Sequence, residues 1–191
     1  SYICSVYLFE YDKIVNKIFL FSLYFLIIGF IDDRININPY YRLILQALIS
    51  GYFVNSNDIH ITHIALYSGQ VLQLGSFSEL FSVCCIIVII NSFNYFDGID
   101  LNLITIVMSI IFFLGIFLNF LSINELIIIF MPLIFFGLFN YGLPRFPKMY
   151  LGDCGSTSLG FLIAALLLLY NKQEGQSLVV QQQIIWISSL T

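Results

Sequence analysis

Charged side chains are scarce in this sequence. Asp, Glu, Lys and Arg make up only 9% of its 191 residues, whereas a soluble globular domain has about 25%. Hydrophobic residues account for 60%, and twenty of them are Phe. The scarcity of charge excludes an ordinary soluble domain and indicates a polytopic membrane protein. Only seven residues are Lys or Arg, too few for the basic surface that nucleic-acid binding requires.

Cysteine is also sparse, and its placement excludes two common uses. The four cysteines show neither the spacing of a disulfide framework nor that of a zinc site. Cys84 and Cys85 lie together inside an apolar run, while Cys4 and Cys154 stand alone. We therefore expect all four to be packing residues.

Apolar runs predict a single all-α bundle of about six to seven transmembrane helices, residues 1–191, incomplete at both ends. The expected spans are residues 18–31, 40–54, 81–96, 103–121, 125–143 and 156–170, with a seventh starting near Val180. Residues 2–9 are expected to be the tail of an earlier helix, followed by a polar turn at residues 10–17. Residues 55–79 form a polar loop in which a short hairpin is expected. Helices satisfy their own backbone hydrogen bonds in lipid, which favours this architecture.

The stretch N-S-F-N-Y-F-D-G-I-D stands at the end of the third span. Asn91, Asn94 and Asp97 are spaced three apart, so successive members are neighbours on a helix surface. Gly98 allows the chain to turn and to present Asp100 beside them. Polar groups at membrane depth are costly unless they are paired or functional. Carboxylate and amide oxygens without cysteine or paired histidine suit a hard cation such as Mg²⁺.

Two further acidic sites follow the same pattern. Asp32 and Asp33 end the first span, where carboxylates oppose the negative end of the helix dipole unless a cation compensates. A solvated helix end paired with Arg34 is the alternative for that pair.

The loop Y-L-G-D-C-G-S-T-S-L-G places Gly152 and Gly155 around Asp153, just before a helix. The glycines permit close backbone approach, and a helix start offers N–H groups to an anion. Ser156 or Thr157 is the expected N-cap. Asp153 would hold a metal while the helix start binds the phosphate that the metal neutralises. For this loop alone, an ordinary glycine-rich turn is the alternative.

Counting spans places all three acidic sites on one membrane face. The remaining acids then fall on the opposite face: Glu10, Asp12, Asp58, Glu79, Glu125 and Glu174. Four basic residues share the face of the acidic sites, Arg34, Arg42, Arg145 and Lys148, against Lys13, Lys17 and Lys172 opposite. This bias favours a cytoplasmic location for the acidic face. His60 and His63 spell H-x-x-H but lie on the other face, so we do not expect a metal there.

A carboxylate site of this kind in a membrane bundle suits phosphoryl transfer onto a lipid. A metal would bridge a diphosphate and neutralise charge in the transition state. A lipid phosphate, with a second pKa near ~6, is largely dianionic at neutral pH. Such a nucleophile hardly needs a general base, so positioning and charge neutralisation are expected to dominate.

Three motifs carry a resemblance to a known family: G-F-I-D-D-R, N-S-F-N-Y-F-D-G-I-D and Y-L-G-D-C-G-S-T-S-L-G-F. With these motifs in this order, the chain resembles the polyprenyl-phosphate N-acetylhexosamine-1-phosphate transferases of glycosyltransferase family 4. The second motif is more similar to the undecaprenyl-phosphate GlcNAc-1-phosphate transferase branch than to the phospho-MurNAc-pentapeptide translocases. The resemblance covers nearly the whole chain.

The resemblance implies transfer of an N-acetylhexosamine-1-phosphate from a UDP-sugar, expected to be UDP-GlcNAc, to undecaprenyl phosphate. UMP is released, and the product begins a cell-surface polysaccharide such as O-antigen. The resemblance also implies a need for Mg²⁺, with Mn²⁺ as the alternative, and an active site on the cytoplasmic face of the bacterial inner membrane. The expected partners are the bilayer and the two substrates; a homo-oligomer is left open.

By motif position, the resemblance implies a role for each residue. Asn94 and Asp153 are the expected metal ligands, with Asp97 close by as a catalytic residue. Asp32 and Asp33 would serve the lipid phosphate or the metal, and proton abstraction by one of them is a proposal made for the family. The expected substrate-binding residues are Asn91, Asp100, Gly152, Gly155 and Ser156, of which Asp100 would face the uridine.

The chain departs from the family pattern at two places. Leu101 and Asn102 follow Asp100, where Gly-Leu is usual, so the turn or the nucleotide pocket is expected to differ. The family also carries a further Asp at the end of the next helix and a His-rich loop after it, and neither occurs before Thr191. The 191-residue polypeptide is therefore expected to be a fragment with little or no activity of its own.

Three other interpretations remain at this stage: a translocase-like transferase, an ion-coupled transporter and an inactive truncated remnant. A transporter usually carries acids at mid-span and has broken or repeated helices. Here the acids cluster at span ends on one face, which favours the enzyme.

Overall fold

The computed structural model describes residues 2–65, 71–97, 101–118, 120–142 and 150–189. Within these ranges it is helical apart from one short hairpin, as the sequence predicts. Its elements are α1 (Tyr2–Ile35), α2 (Pro39–Asn57), β1 (His63–Ala65), β2 (Val71–Gln73), α3 (Ser78–Phe96), α4 (Asn102–Phe112), α5 (Ile123–Tyr141) and α6 (Gly152–Ser189). A 3₁₀ turn precedes α3, and a π-helical turn extends α4. The hairpin lies in the loop where it was expected, with β1 antiparallel to β2.

Four of the described helical segments are long and apolar enough to cross a membrane: Lys13–Ile35, Gly75–Phe96, Ile123–Tyr141 and Gly152–Gln173. The structure therefore supports fewer spans than the six to seven that the sequence predicts. The segment Asn102–Ile116, which contains α4, is a shorter apolar helix. The other predicted span, in α2, contains Arg42, Gln46 and Ser50, and these polar residues lower its hydropathy.

The two longest helices continue through segments that the sequence analysis treated as breaks. Helix α1 has 34 residues and includes the predicted polar turn at residues 10–17. Helix α6 has 38 residues and joins the predicted sixth and seventh spans. Neither polar segment contains proline, and Lys, Glu and Gln are good helix formers. A polar segment without proline therefore does not interrupt either helix.

Helix α6 is central and packs against both α1 and α3. Two glycines permit these close contacts. At Gly160, a Cβ atom would lie 2.8 Å from the Cα atom of Ile90 in α3, and at Gly29 of α1 it would collide with the backbone at Cys154. Both contacts are closer than a residue with a side chain would allow, and the contact at Gly29 places the end of α1 against the start of α6.

Aromatic residues fill the space between α1, α2 and α6. The rings of Phe25 and Phe161 stack with centroids 4.5 Å apart, and Phe53 meets Phe161 edge-on at 5.2 Å. All three side chains are fully buried. Burial of such large apolar groups, about 1.5–3 kcal/mol each, supports this three-helix contact.

Helix α2 runs between the two ends of the bundle. It starts at Pro39, where the Asn38 side chain accepts a hydrogen bond from the backbone N–H of Tyr40. At its other end, the Nζ of Lys172 donates to the carbonyl oxygens of Asn57 and Asp58. Lys172 of α6 thus holds the C-terminal end of α2 through two hydrogen bonds.

Candidate functional site

Four carboxylates from three helices meet at one end of the bundle. We call Asp32 and Asp33 of α1, Asp97 at the end of α3 and Asp153 at the start of α6 the carboxylate cluster. One arginine joins Asp32 to Asp153, and Asp33 accepts from the backbone of Asp153. Asp97 lies beside the backbone N–H of Gly152. Residues far apart in the chain are thus brought together at one end of the bundle.

Arg42, from the first turn of α2, bridges two members of the cluster. Its Nη1 atom lies 2.7 Å from Oδ2 of Asp32 and 2.8 Å from Oδ2 of Asp153. The other carboxylate oxygen of Asp32 accepts from the backbone N–H of Ile37 at 2.8 Å. Asp32 is only 5% exposed, and these contacts compensate for burying its charge.

The alternative partner considered for the acidic pair, Arg34, does not take this position. Its guanidinium lies over the ring of Phe30, 5.3 Å from the ring centroid. Sequence reasoning used Arg42 only to orient the membrane faces and missed it as a site residue. The available signal was the Asn38-Pro39 turn, which returns the chain and places the next arginine opposite the end of α1.

Asp33 caps helix α6 from outside that helix. Its Oδ1 accepts from the backbone N–H of Asp153 at 3.1 Å, and its Oδ2 accepts from that of Cys154 at 3.2 Å. The helix begins at Gly152, whose φ of +66° is unfavourable for a residue with a side chain. A Cβ atom there would also lie 3.0 Å from Oδ2 of Asp33. Glycine at this position allows the two helix ends to dock.

The predicted N-cap at Ser156 or Thr157 is wrong, because α6 starts several residues earlier. Both hydroxyls donate back to the carbonyl oxygen of Asp153, at 3.5 Å from Ser156 and 2.6 Å from Thr157. Ser156 is fully buried, and Leu151 packs against Gly155. The backbone N–H groups of Asp153 and Cys154, at the start of this helix, donate to Asp33 and not to a phosphate. Substrate roles for Gly152, Gly155 and Ser156 stay predictions. A carboxylate already accepts hydrogen bonds from the helix start at which a phosphate was expected.

The three polar residues of α3 have different surroundings. Asn91 is directed towards α2, where its Nδ2 donates to Oε1 of Gln46 at 3.0 Å and to the carbonyl oxygen of Ile87 at 2.8 Å. Asn94 lies beside Asp153, and its buried Nδ2 has no hydrogen-bond partner within the described ranges. Asn91 therefore joins two helices, whereas Asn94 lies at the cluster.

Asp97 lies just beyond the membrane-spanning part of α3. Its partial burial raises the pKa of its carboxyl group above the ordinary value, and the negative charges of Asp153 and Asp33 raise it further. The N–H of Gly152 acts in the opposite direction. An approaching cation would favour the ionised form, so this carboxylate is suited to bind one.

Asp100 and Gly98 lie outside the described residues, as do Arg145 and Lys148. Leu101, the departure from the family pattern, has a φ of +59°, in the left-handed region that favours glycine. Its N–H donates to Oδ1 of Asn140 in α5 at 2.8 Å. Leu101 thus adopts a left-handed conformation just before α4, and its hydrogen bond to α5 holds the turn.

The donor set suits a hard cation. Asp97, Asp153 and the side-chain oxygen of Asn94 are hard oxygen donors of the kind that bind Mg²⁺. Within the described ranges, no three acidic, histidine or cysteine side chains are arranged to hold a metal together. The guanidinium of Arg42 instead supplies the positive charge between two of the carboxylates. The residues therefore fit the ion chemically, with the guanidinium of Arg42 lying between two of them.

Comparison with known proteins gives consistent results. A family model described as glycosyl transferase family 4 matches residues 15–171. The undecaprenyl-phosphate alpha-N-acetylglucosaminyl 1-phosphate transferase of Haemophilus influenzae is 32% identical over 181 residues, covering 88% of this chain and 50% of that protein. The protein of the same name in Pasteurella multocida is 34% identical over 179 residues, with the same coverage. The chain spans about half the length of these curated relatives.

Proposed function

This chain belongs to glycosyl transferase family 4, and from that premise we propose that the intact protein transfers a sugar-1-phosphate onto a lipid phosphate. The donor is a UDP-N-acetylhexosamine, with UDP-GlcNAc favoured by the names of the two relatives. The acceptor is undecaprenyl phosphate, and UMP is the second product. Residues 1–191 form one membrane domain, with the carboxylate cluster on the cytoplasmic face of the inner membrane.

The observation that carries this proposal is the meeting of four carboxylates and an arginine at one end of an apolar helical bundle. An ion-coupled transporter would instead carry its acids near the middle of its spans. Residues at helix ends can contact a water-soluble nucleotide and a lipid headgroup at the same time. The arrangement therefore supports a transferase that works at the membrane surface.

The reaction is a displacement at phosphorus. An oxygen of the lipid phosphate forms a bond to the β-phosphorus of the UDP-sugar, and the bond from that phosphorus to the bridging oxygen breaks, releasing UMP. Asp153, Asp97 and Asn94 would hold Mg²⁺, which when bound neutralises charge on the diphosphate. The lipid phosphate is already dianionic near neutral pH. Asp32 has both carboxylate oxygens engaged, by Ile37 and Arg42, so positioning suits it better than proton abstraction.

The remaining groups position these ligands. Asp33 fixes the first turn of α6 through two backbone N–H groups, and so places Asp153 beside α3. Asn91 and Gln46 join α3 to α2 one turn below Asn94. Effective phosphoryl transfer depends on this preorganisation, because charge develops at fixed places in the transition state.

Replacing Asp153 with asparagine in the intact protein tests the proposal. Asp153→Asn removes one charge and a hard metal ligand with little change in shape, so Mg²⁺-dependent UMP release should fall by about 100-fold or more. Asp58→Asn is the matched control, since Asp58 is 81% exposed and lies with Lys172 at the opposite end of the bundle. UMP release from UDP-GlcNAc, UDP-GalNAc and related donors, with undecaprenyl phosphate as acceptor, identifies the sugar. Near-normal turnover by Asp153→Asn would contradict the assignment of the site.

A further inference from the structure

Arg42 occupies the position of a cation among the carboxylates, and we propose that it is an internal counter-ion that a divalent metal must displace. In the structure, the guanidinium pairs with Asp32 and Asp153 and closes the carboxylate cluster. When the metal binds Asp153, Arg42 is released. The inference rests on the proposed metal-dependent transfer. It adds that Arg42 competes with the metal for Asp153.

The first argument is the geometry of the bridge. A single nitrogen, Nη1, contacts one oxygen of each carboxylate, at 2.7 and 2.8 Å. These distances are those of strong charge-assisted hydrogen bonds. Oxygens that converge on one donor atom also converge on a small cation placed there. Arg42 and a metal would therefore compete for the same oxygen of Asp153.

The second argument is that the carboxylates are held in place without Arg42. Asp32 remains fixed through its second oxygen, which accepts from the N–H of Ile37. Asp153 is anchored at its backbone, whose N–H donates to Asp33, and its side chain lies beside Asn94. A residue needed to position these groups would be their main structural contact. Arg42 instead contributes mainly charge, and its loss should leave the two oxygens near their present positions.

The third argument is that Arg42 has room to leave. Its side chain is 22% exposed and that of Asp153 is 34% exposed, whereas Asp32 is 5% exposed. The bridge therefore lies at the rim of the site, with its buried end at Asp32. A released guanidinium, still on the same helix, can turn towards phosphate oxygens, which its planar group binds in bidentate fashion. Metal and diphosphate would then favour each other's binding.

Binding of Mn²⁺ to the intact protein, measured by electron paramagnetic resonance of the free ion, tests the proposal without any turnover. Arg42→Gln removes the competing charge, so Mn²⁺ should bind about tenfold more tightly than to the wild type. Arg42→Lys keeps a cation and should bind Mn²⁺ with close to wild-type affinity. Arg34→Gln is the matched control, because it removes a charge at the same end of the bundle, and Arg34 lies over Phe30 with no ion pair to a described carboxylate.

Three outcomes would overturn the proposal: unchanged or weaker Mn²⁺ binding in Arg42→Gln, equal tightening in Arg42→Lys, or equal tightening in Arg34→Gln. If Arg42→Gln unfolds without metal, recovery of a cooperative thermal transition on addition of Mn²⁺ supports the proposal, and no recovery refutes it. Because affinity is measured apart from UMP release, a protein that shows the predicted Mn²⁺ affinities but transfers no sugar would refute only the proposed function.

Discussion

At the level of single residues, Asp97 is placed to bind a cation, but its surroundings disfavour its negative charge. The folded protein partly buries this carboxyl group beside Asp33 and Asp153, which raises its pKa. A raised pKa means that the folded protein holds the proton more tightly than the unfolded chain does. The ionised form is therefore a cost to folding that a bound cation would offset.

This cost has a defined pH dependence. Below the unfolded value of about 3.9, Asp97 is protonated in both states and its contribution to stability is fully present. That contribution is lost as the pH rises through the higher folded pKa. Asp97→Asn should therefore raise the unfolding temperature of the metal-free protein near neutral pH, while leaving it unchanged at low pH and abolishing UMP release.

Thermal unfolding of wild type and Asp97→Asn between about pH 4 and pH 8, with a chelator present, measures this effect. Asp58→Asn, at the exposed opposite end, serves as the control. A variant that is less stable than the wild type at neutral pH would show that ionised Asp97 stabilises the fold.

At the level of helices, the site depends on how closely α1 approaches α6. Gly29 lies one turn before Asp32 and Asp33, directly against the backbone of Asp153 and Cys154. Any side chain there would push the end of α1 away from the start of α6. The cap that Asp33 makes on α6 would be lost with it, together with the alignment of two cluster members.

Gly29→Ala should therefore lower stability by about 1–3 kcal/mol, the usual cost of overpacking, and weaken Mn²⁺ binding as well. Gly51→Ala is the matched control, since Gly51 lies inside α2 with no atom within 4 Å of an added Cβ. Alanine favours a helix over glycine by about 1 kcal/mol, so that variant should be neutral or more stable. Thermal unfolding with and without Mn²⁺ distinguishes the two. Equal stability of both variants would mean that α1 can move without cost.

At the level of the whole molecule, the two ends of the bundle have different chemistry. The carboxylate cluster and Arg42 occupy one end. At the other, Lys17 donates to Oδ1 of Asn57 at 2.8 Å, and Lys172 donates to the backbone carbonyl oxygens of Asn57 and Asp58. Lysines there tie helices together, while the arginine is engaged with the site.

This difference between the two ends predicts the orientation of the protein in the membrane. With the carboxylate cluster on the cytoplasmic face, a cysteine at the exposed position Ile35 should react with an impermeant maleimide in inverted vesicles and be protected in intact cells. A cysteine at the exposed position Ser76 should show the opposite pattern. Each single cysteine is introduced into a protein without its native cysteines. Labelling of position 35 from outside the cell would reverse the assignment of the faces.

Much of this architecture follows from the sequence alone. Scarce charge and long apolar runs predict a helical membrane protein, because the backbone N–H and C=O groups must form all their hydrogen bonds within the protein in lipid. Counting spans places Asp32, Asp33, Asp97 and Asp153 on one face, because apolar segments alternate in direction. The three motifs and their order suffice to indicate the family. All of these inferences depend on patterns that are local in the chain or that repeat along it.

Other features were decided only by the tertiary structure. The partner of Asp32 is Arg42 and not the adjacent Arg34, because the turn before α2 brings a distant guanidinium closer than the neighbouring one. The cap of α6 is Asp33 and not Ser156 or Thr157, since a glycine with positive φ lets the helix begin early enough to meet α1. Asn91 binds Gln46 and not the cluster, because α2 packs against that face of α3. Sequence specifies which polar groups must find partners in the membrane, and only packing between helices decides which partners lie within reach.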